Sequence, residues 1–268
     1  MKLITRNLIR ALYQVVTSFG FDPRRTVQFA RGVPAYVRDY VIFCWQWRSS
    51  TREFKMGVPF PCLSDRFAQS GNISGHYFHQ DLLVANRVFH NKPTRHVDVG
   101  SRIDGFVAHV AAFRTIEVID IRPLEAISHN IRFIQADLME ASEESLVNYC
   151  DSLSCLHALE HFGLGRYGDK LDYGGYLVGL RNLTGILRSG GKFYLSVPIG
   201  PQRVEFNAHR IFSVEYILHL MVETFKLDSF SFIDDEGILH QDVTVGVEDA
   251  KTSFGCSYGC GIFEWTKL

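Results

Sequence analysis

The feature that most constrains this chain is the stretch Arg95-His96-Val97-Asp98-Val99-Gly100-Ser101-Arg102-Ile103-Asp104-Gly105-Phe106. Val97 and Val99 are β-branched and suit a strand covered on both faces. Asp98 stands just before a glycine turn. Gly100 permits a sharp bend and lets a ligand approach bare backbone. Phe106 to Phe113 then runs apolar with helical rather than alternating spacing. Strand, glycine turn and helix form a βα unit of the kind that holds nucleotides, though the same pattern also serves as a plain connection.

Four later segments repeat the theme. Glu117-Val118-Ile119-Asp120-Ile121 is an apolar strand with an acid at its carboxyl end. Asp120 lies twenty residues after Gly100, about the spacing at which an acid meets nucleotide ribose hydroxyls. Ile131 to Leu138 reads as a third strand ending at Asp137. Ser152 to His161 reads as a fourth strand opening into the polar turn Leu156-His157-Ala158-Leu159-Glu160-His161. Leu187 to Pro198 reads as a helix end, a Gly-Gly turn and a fifth strand. Leu227 to Ile233 and Gly261 to Lys267 complete the set.

In series these pieces resemble the class I S-adenosylmethionine-dependent methyltransferases, over roughly residues 92 to 268. They are also similar to a poorly characterised methyltransferase-like subgroup of the DUF268 type, which is associated with bacterial glycan biosynthesis. The stretches Gly75 to Leu82 and His157 to Asp169 carry that second likeness. One departure stands out: Arg102 and Asp104 occupy positions where the superfamily motif has glycines. The resemblance implies an α/β fold with a Rossmann-like, mostly parallel sheet of about seven strands and an antiparallel last strand. It implies S-adenosyl-L-methionine as cofactor, with Asp98 and Gly100 at the turn, Asp120 at the ribose and Asp137 on the adenine side. It also makes Tyr77 and Gln80, in the segment before the first strand, candidate cofactor contacts. A solvated helix start accounts for that segment equally well.

Composition sets the outer bounds. A chain of 268 residues is one large domain, or a domain with an appendage. Up to Lys92 there are thirteen Lys and Arg against five Asp and Glu; beyond it there are fifteen against twenty-four. The expected division is a basic helical or irregular cap over residues 1–91 and a methyltransferase-like domain over 92–268. A basic segment on an acidic body suits an anionic acceptor or a peripheral membrane contact, or mutual docking of the two parts. Leu3 to Phe19 patterns as an amphipathic helix that either packs on the body or lies on a membrane surface. Asp22 and Pro23 should start the next helix, and Gly32-Val33-Pro34 should break it. No aromatic-basic interleaving argues for nucleic acid. Six unpatterned cysteines read as reduced, in a cytoplasmic protein. Cys256 and Cys260 lack a second cysteine pair, so no metal is expected.

The candidate chemistry is methyl transfer to an alcohol, in which a general base takes the acceptor proton. Histidine has the right range. His157, His161 and His209 fall at strand ends, with Glu160 as orienter or alternative base, and His161 is preferred. The glycine-rich loop Gly163 to Asp169 and Arg210 should border the acceptor. Two other functions fit the pattern less fully: a non-catalytic methyltransferase-like scaffold or binding protein, and a nicotinamide-dependent dehydrogenase.

Overall fold

The structure, a computed structural model, describes residues 12–268 except 14, 52, 69–72, 74, 126, 127 and 141–143. The expected helix from Leu3 to Phe19 lies largely outside the described residues. The chain divides into two units, Met1–Asn72 and Ile73–Leu268.

The first unit is built on one long helix, α1 (Pro23–Arg48). Asp22 and Pro23 start it as expected: the Asp22 carbonyl accepts from Thr26 N at 3.0 Å. The expected break at Gly32-Val33-Pro34 is absent, because the helix runs through Pro34. Proline removes one intrahelical bond but its fixed φ suits helix. Gly32 serves close packing: a Cβ there would lie 2.1 Å from the Leu63 carbonyl oxygen. Many apolar side chains of α1 stay exposed, among them Val41, Phe43 and Trp45.

The second unit is a three-layer α/β domain. Its central sheet comprises β1 (His96–Val99), β2 (Ile116–Asp120), β3 (Ile131–Gln135), β4 (Cys150–Leu156), β5 (Leu187–Ile199), β8 (Phe225–Ile233), β9 (Leu239–His240) and β10 (Gly259–Lys267). The spatial order is β3-β2-β1-β4-β5-β10-β8-β9. Pairings from β3 to β5 are parallel, and β10 runs antiparallel to both β5 and β8. This is the expected Rossmann-like sheet with one more strand, the two-residue edge strand β9. Strands β6 (Arg203–Glu205) and β7 (His209–Ile211) form a separate hairpin.

Residue alternation feeds two cores. Val97, Val99, Leu153, Cys155, Phe193 and Leu195 face one side. There they meet Leu180 and Leu183 of α4 (Gly175–Ile186) and Ile217 and Met221 of α5 (Val214–Met221). Val118, Leu156, Tyr194 and Ile262 face the other side, against Val84, Ala85 and Val88 of α2 (His76–Asn91), Phe106 after β1 and Val110 of the short helix α3 (Ala108–Ala111). Val84 and Val88 are four apart and share one helix face. Because α2 packs on the sheet, the unit boundary falls before it, not at residue 91. Ser213 caps α5 through Tyr216 N at 3.2 Å, as its sequence position implies. At β5 the expected helix end at Leu187 is already strand. Leu187 pairs with Cys150, and the register shifts so that Lys192 pairs with Ser152. Gly190, at φ 76°, lies within the intervening bulge.

The strand order reverses between β1 and β4, which opens a crevice at their carboxyl ends. Gly100 follows one of these strands and His157 the other.

Candidate active site

The glycine turn after β1 is tight. Gly100 adopts φ 74°, and a Cβ there would lie 2.8 Å from the Ala158 methyl. Asp98 anchors the turn from behind. It is fully buried and accepts from Ser101 N at 3.1 Å, Ser101 Oγ at 2.9 Å and Ser154 Oγ at 2.5 Å. Burial pushes its carboxyl up to about 7 against those hydrogen bonds. Asp98 therefore shapes the turn without facing the crevice. Arg102 and Asp104 form an exposed ion pair with each other at 2.7 Å.

Gly100, Asp120, Asp137, His157 and His161 line one cleft. Its walls also include Val99, Ile119, Leu138 and Met139, an apolar slot suited to a flat ring. Asp137 accepts from Met139 N at 2.8 Å. Asp120 already holds Arg122, whose Nε lies 3.0 Å from Oδ1 and whose Nη2 lies 2.5 Å from Oδ2. The same guanidinium sits over the Tyr167 ring at 4.6 Å. Arg122 thus bridges the two sides of the cleft mouth. The cleft is partly open and narrow, with a volume of about 70 Å³, below the roughly 300 Å³ of common ligand pockets. The acids and the apolar slot are of the kind that suits an adenosyl group, although Asp120 is engaged by Arg122.

Beyond β4 the chain turns sharply. His157 takes φ 50°, rare for a side-chain-bearing residue, and its N–H donates to Ser196 O at 3.0 Å. His157 Nδ1 meets Glu160 Oε1 at 2.7 Å, with both residues buried. Burial opposes charge on His157, but Cys260 and Glu160 outweigh it and raise the ring well above its usual range. His161 Nδ1 donates to the Ala208 carbonyl at 2.7 Å, leaving Nε2, 3.8 Å from Glu160 Oε1, as its basic nitrogen. Burial holds His161 below its usual range, against the pull of Glu160.

The other expected residues lie off the cleft wall. Gln80 is buried and ties α2 to β5, accepting from Ser196 Oγ at 2.6 Å and donating to Asp81 at 3.1 Å. Tyr77 lies with its ring 5.2 Å from that of His157. His209 sits on β7, its Nε2 3.2 Å from Glu205 Oε2 without hydrogen-bond geometry, and its ring 5.1 Å from Tyr258. Arg210, expected at the acceptor, is instead buried among carbonyls. It donates to Phe162 at 2.6 Å, Tyr173 at 3.0 Å, Glu160 at 3.3 Å and Asp172 at 3.4 Å. The glycine loop is ordered by Asp169, which accepts from the N–H groups of Gly163, Gly165 and Tyr167 at 2.8–3.1 Å. Arg122 was missed in the sequence. Its place two residues after Asp120 is the one signal that could have marked it.

Sheet order, antiparallel last strand and cleft position define a class I methyltransferase-like fold. The [4+2]-cyclase SpnF shares it, at 15% identity and a TM-score of 0.50 over 70% of this chain and 80% of that one. Geranyl diphosphate methyltransferase in complex with SAM gives 11% and 0.49 over 71% and 85%. The Burkholderia thailandensis 1,6-didemethyltoxoflavin-N1-methyltransferase gives 16% and 0.47 over 70% and 78%. SpnF being a cyclase, the shared fold does not by itself specify a reaction. Residues 109–250 match the family model described as "Caenorhabditis protein of unknown function, DUF268". The chain belongs to that family. Comparison with curated protein sequences gives no match.

Proposed function

We propose that the chain is an S-adenosylmethionine-dependent methyltransferase that modifies a hydroxyl of a sugar or glycan acceptor. The observation that carries this reading is one cleft bordered by Gly100, Asp120 and Asp137 on one side and by His161 on the other. When bound, the cofactor supplies an electrophilic methyl group. Asp120 and Asp137 accept hydrogen bonds from hydroxyl and amino groups, and the turn at Gly100 admits a ligand to the backbone. His161 Nε2 takes the acceptor hydroxyl proton. The Ala208 carbonyl fixes its tautomer, and Glu160 stabilises the imidazolium that results. The surplus of thirteen basic over five acidic residues up to Lys92 suits an anionic acceptor, and so do the exposed aromatics of α1 for a peripheral contact at the cytoplasmic membrane face. Among the described residues no helix is long and apolar enough to cross a membrane.

The Arg122–Asp120 pair and the narrow cleft favour a second reading, a scaffold that has lost catalysis. Incubation with radiolabelled S-adenosylmethionine and a panel of nucleotide sugars and polysaccharide fragments separates the two. Label transferred to a sugar hydroxyl supports the first reading. Cofactor binding without transfer to any panel member supports the second.

A further inference from the structure

Three side chains from distant parts of the chain meet beside the cleft. His76 opens α2, His157 follows β4, and Cys260 is the second residue of β10. One ring nitrogen from each histidine and the Cys260 sulfur all lie within 4.8 Å of one another. Cys260 is fully buried, and His157 is 7% exposed. Glu160 holds His157 Nδ1 at 2.7 Å, which turns Nε2 inward. That Nε2 is buried with no hydrogen-bond partner, and so is Glu160 Oε2. A buried polar atom left unsatisfied is costly, so the unpartnered His157 Nε2 in this cluster points to a ligand held there. The His157 ring is fixed from both sides, 5.1 Å from the His76 ring and 5.2 Å from Tyr77.

We propose that His76, His157 and Cys260 form a zinc site, with Glu160 as the carboxylate that orients His157. Two imidazole nitrogens and a thiolate match the borderline-soft character of Zn²⁺. Tetrahedral coordination needs ligand atoms about 3.5 Å apart, from bond lengths of about 2.1 and 2.3 Å. The three atoms lie within 4.8 Å of one another, so coordination has to draw His76 and Cys260 towards the fixed His157 ring. A carboxylate behind a ligating histidine is a recurrent support for zinc. A metal takes a thiolate and neutral imidazoles, so binding releases to solvent both the Cys260 thiol proton and the extra proton of the His157 ring. A fourth position is left for water or an acceptor oxygen, as in catalytic zinc sites. His157 also lines the cofactor cleft, so an ion there stands where an acceptor would approach. The cysteine pair Cys256 and Cys260 gave no such indication in the sequence, since the partners of Cys260 are histidines from elsewhere.

The test uses the full chain, stripped with a chelator and titrated with Zn²⁺ or Co²⁺ alone. No cofactor is present, so failure here leaves the methyltransferase reading intact. The expected result is one equivalent of metal and a thiolate-to-cobalt charge-transfer band. Cys260→Ser should lose the band, His76→Ala should bind at least tenfold more weakly, and Glu160→Gln should weaken binding about 10–100-fold. Should Cys260→Ser not fold, half-buried His76→Ala carries the test. Absence of stoichiometric binding overturns the proposal. So does a His76→Ala variant with unchanged affinity, or a band that persists without Cys260.

Discussion

Asp98 makes the stability of this domain depend on pH in a way that one substitution removes. Its carboxyl is fully buried and sits at about 7 rather than 3.8, chiefly because burial disfavours the charged form. The sign follows directly. Between those two values the folded state holds a proton that the unfolded state has released. Stability is therefore fully present below about pH 4, is lost as pH rises towards 7, and is level above. The whole shift corresponds to about 4 kcal/mol, more than half of it between pH 5 and pH 8. Asp98→Asn cannot ionise. It keeps an acceptor for Ser154 and Ser101 Oγ but presents an amide to Ser101 N, which costs about 1 kcal/mol at every pH. Urea denaturation of both proteins across this range is the assay. Other titrating groups are common to the two and cancel in the difference. The variant should be less stable than wild type below pH 4 and more stable by a few kcal/mol at pH 8. Parallel pH profiles would refute a buried, protonated Asp98.

Three other outcomes follow from the site. Arg122→Ala should tighten binding of S-adenosylhomocysteine up to about fivefold, because a partly exposed ion pair worth about 0–1 kcal/mol no longer competes for Asp120; a tenfold loss in calorimetry would make Arg122 a cofactor ligand. His161→Ala should keep cofactor affinity while methyl transfer falls by about 10²–10⁴; near-full turnover would place the base elsewhere. Arg210→Ala should destabilise the domain by on the order of 3 kcal/mol, since it strips the donors from four carbonyls, two of them within 3.0 Å; a change under about 1 kcal/mol in urea unfolding would contradict that role.

The sheet was legible because buried parallel strands are short apolar runs: β1 and β2 are β-branched and end at a glycine or an acid, and β4 is a run of buried Leu, Ser and Cys that opens into a polar turn. The cleft was legible for the same reason: Gly100, Asp120, Asp137, His157 and His161 each follow or end a strand, and strand ends converge at the switch point. Long-range side-chain partners were not legible. Nothing local distinguishes Arg210, which reaches carbonyls 37 to 50 residues away in sequence, from an arginine facing substrate. Gln80 looked like a helix-start contact, yet its partner Ser196 is 116 residues distant. Pro34 misled because proline is a local signal for a helix break, while α1 runs on through it to Arg48. His76 and Cys260 come together only because β10 pairs with β5 beside β4.

The most direct test of the central claim is titration of S-adenosylhomocysteine into the wild-type chain and into Asp120→Ala, each confirmed as folded by circular dichroism. The proposed site predicts one binding event per chain, weakened in the variant by about 1.5–3 kcal/mol, the scale of a charged hydrogen-bond partner. No binding to the wild type, or equal affinity for both proteins, would contradict it.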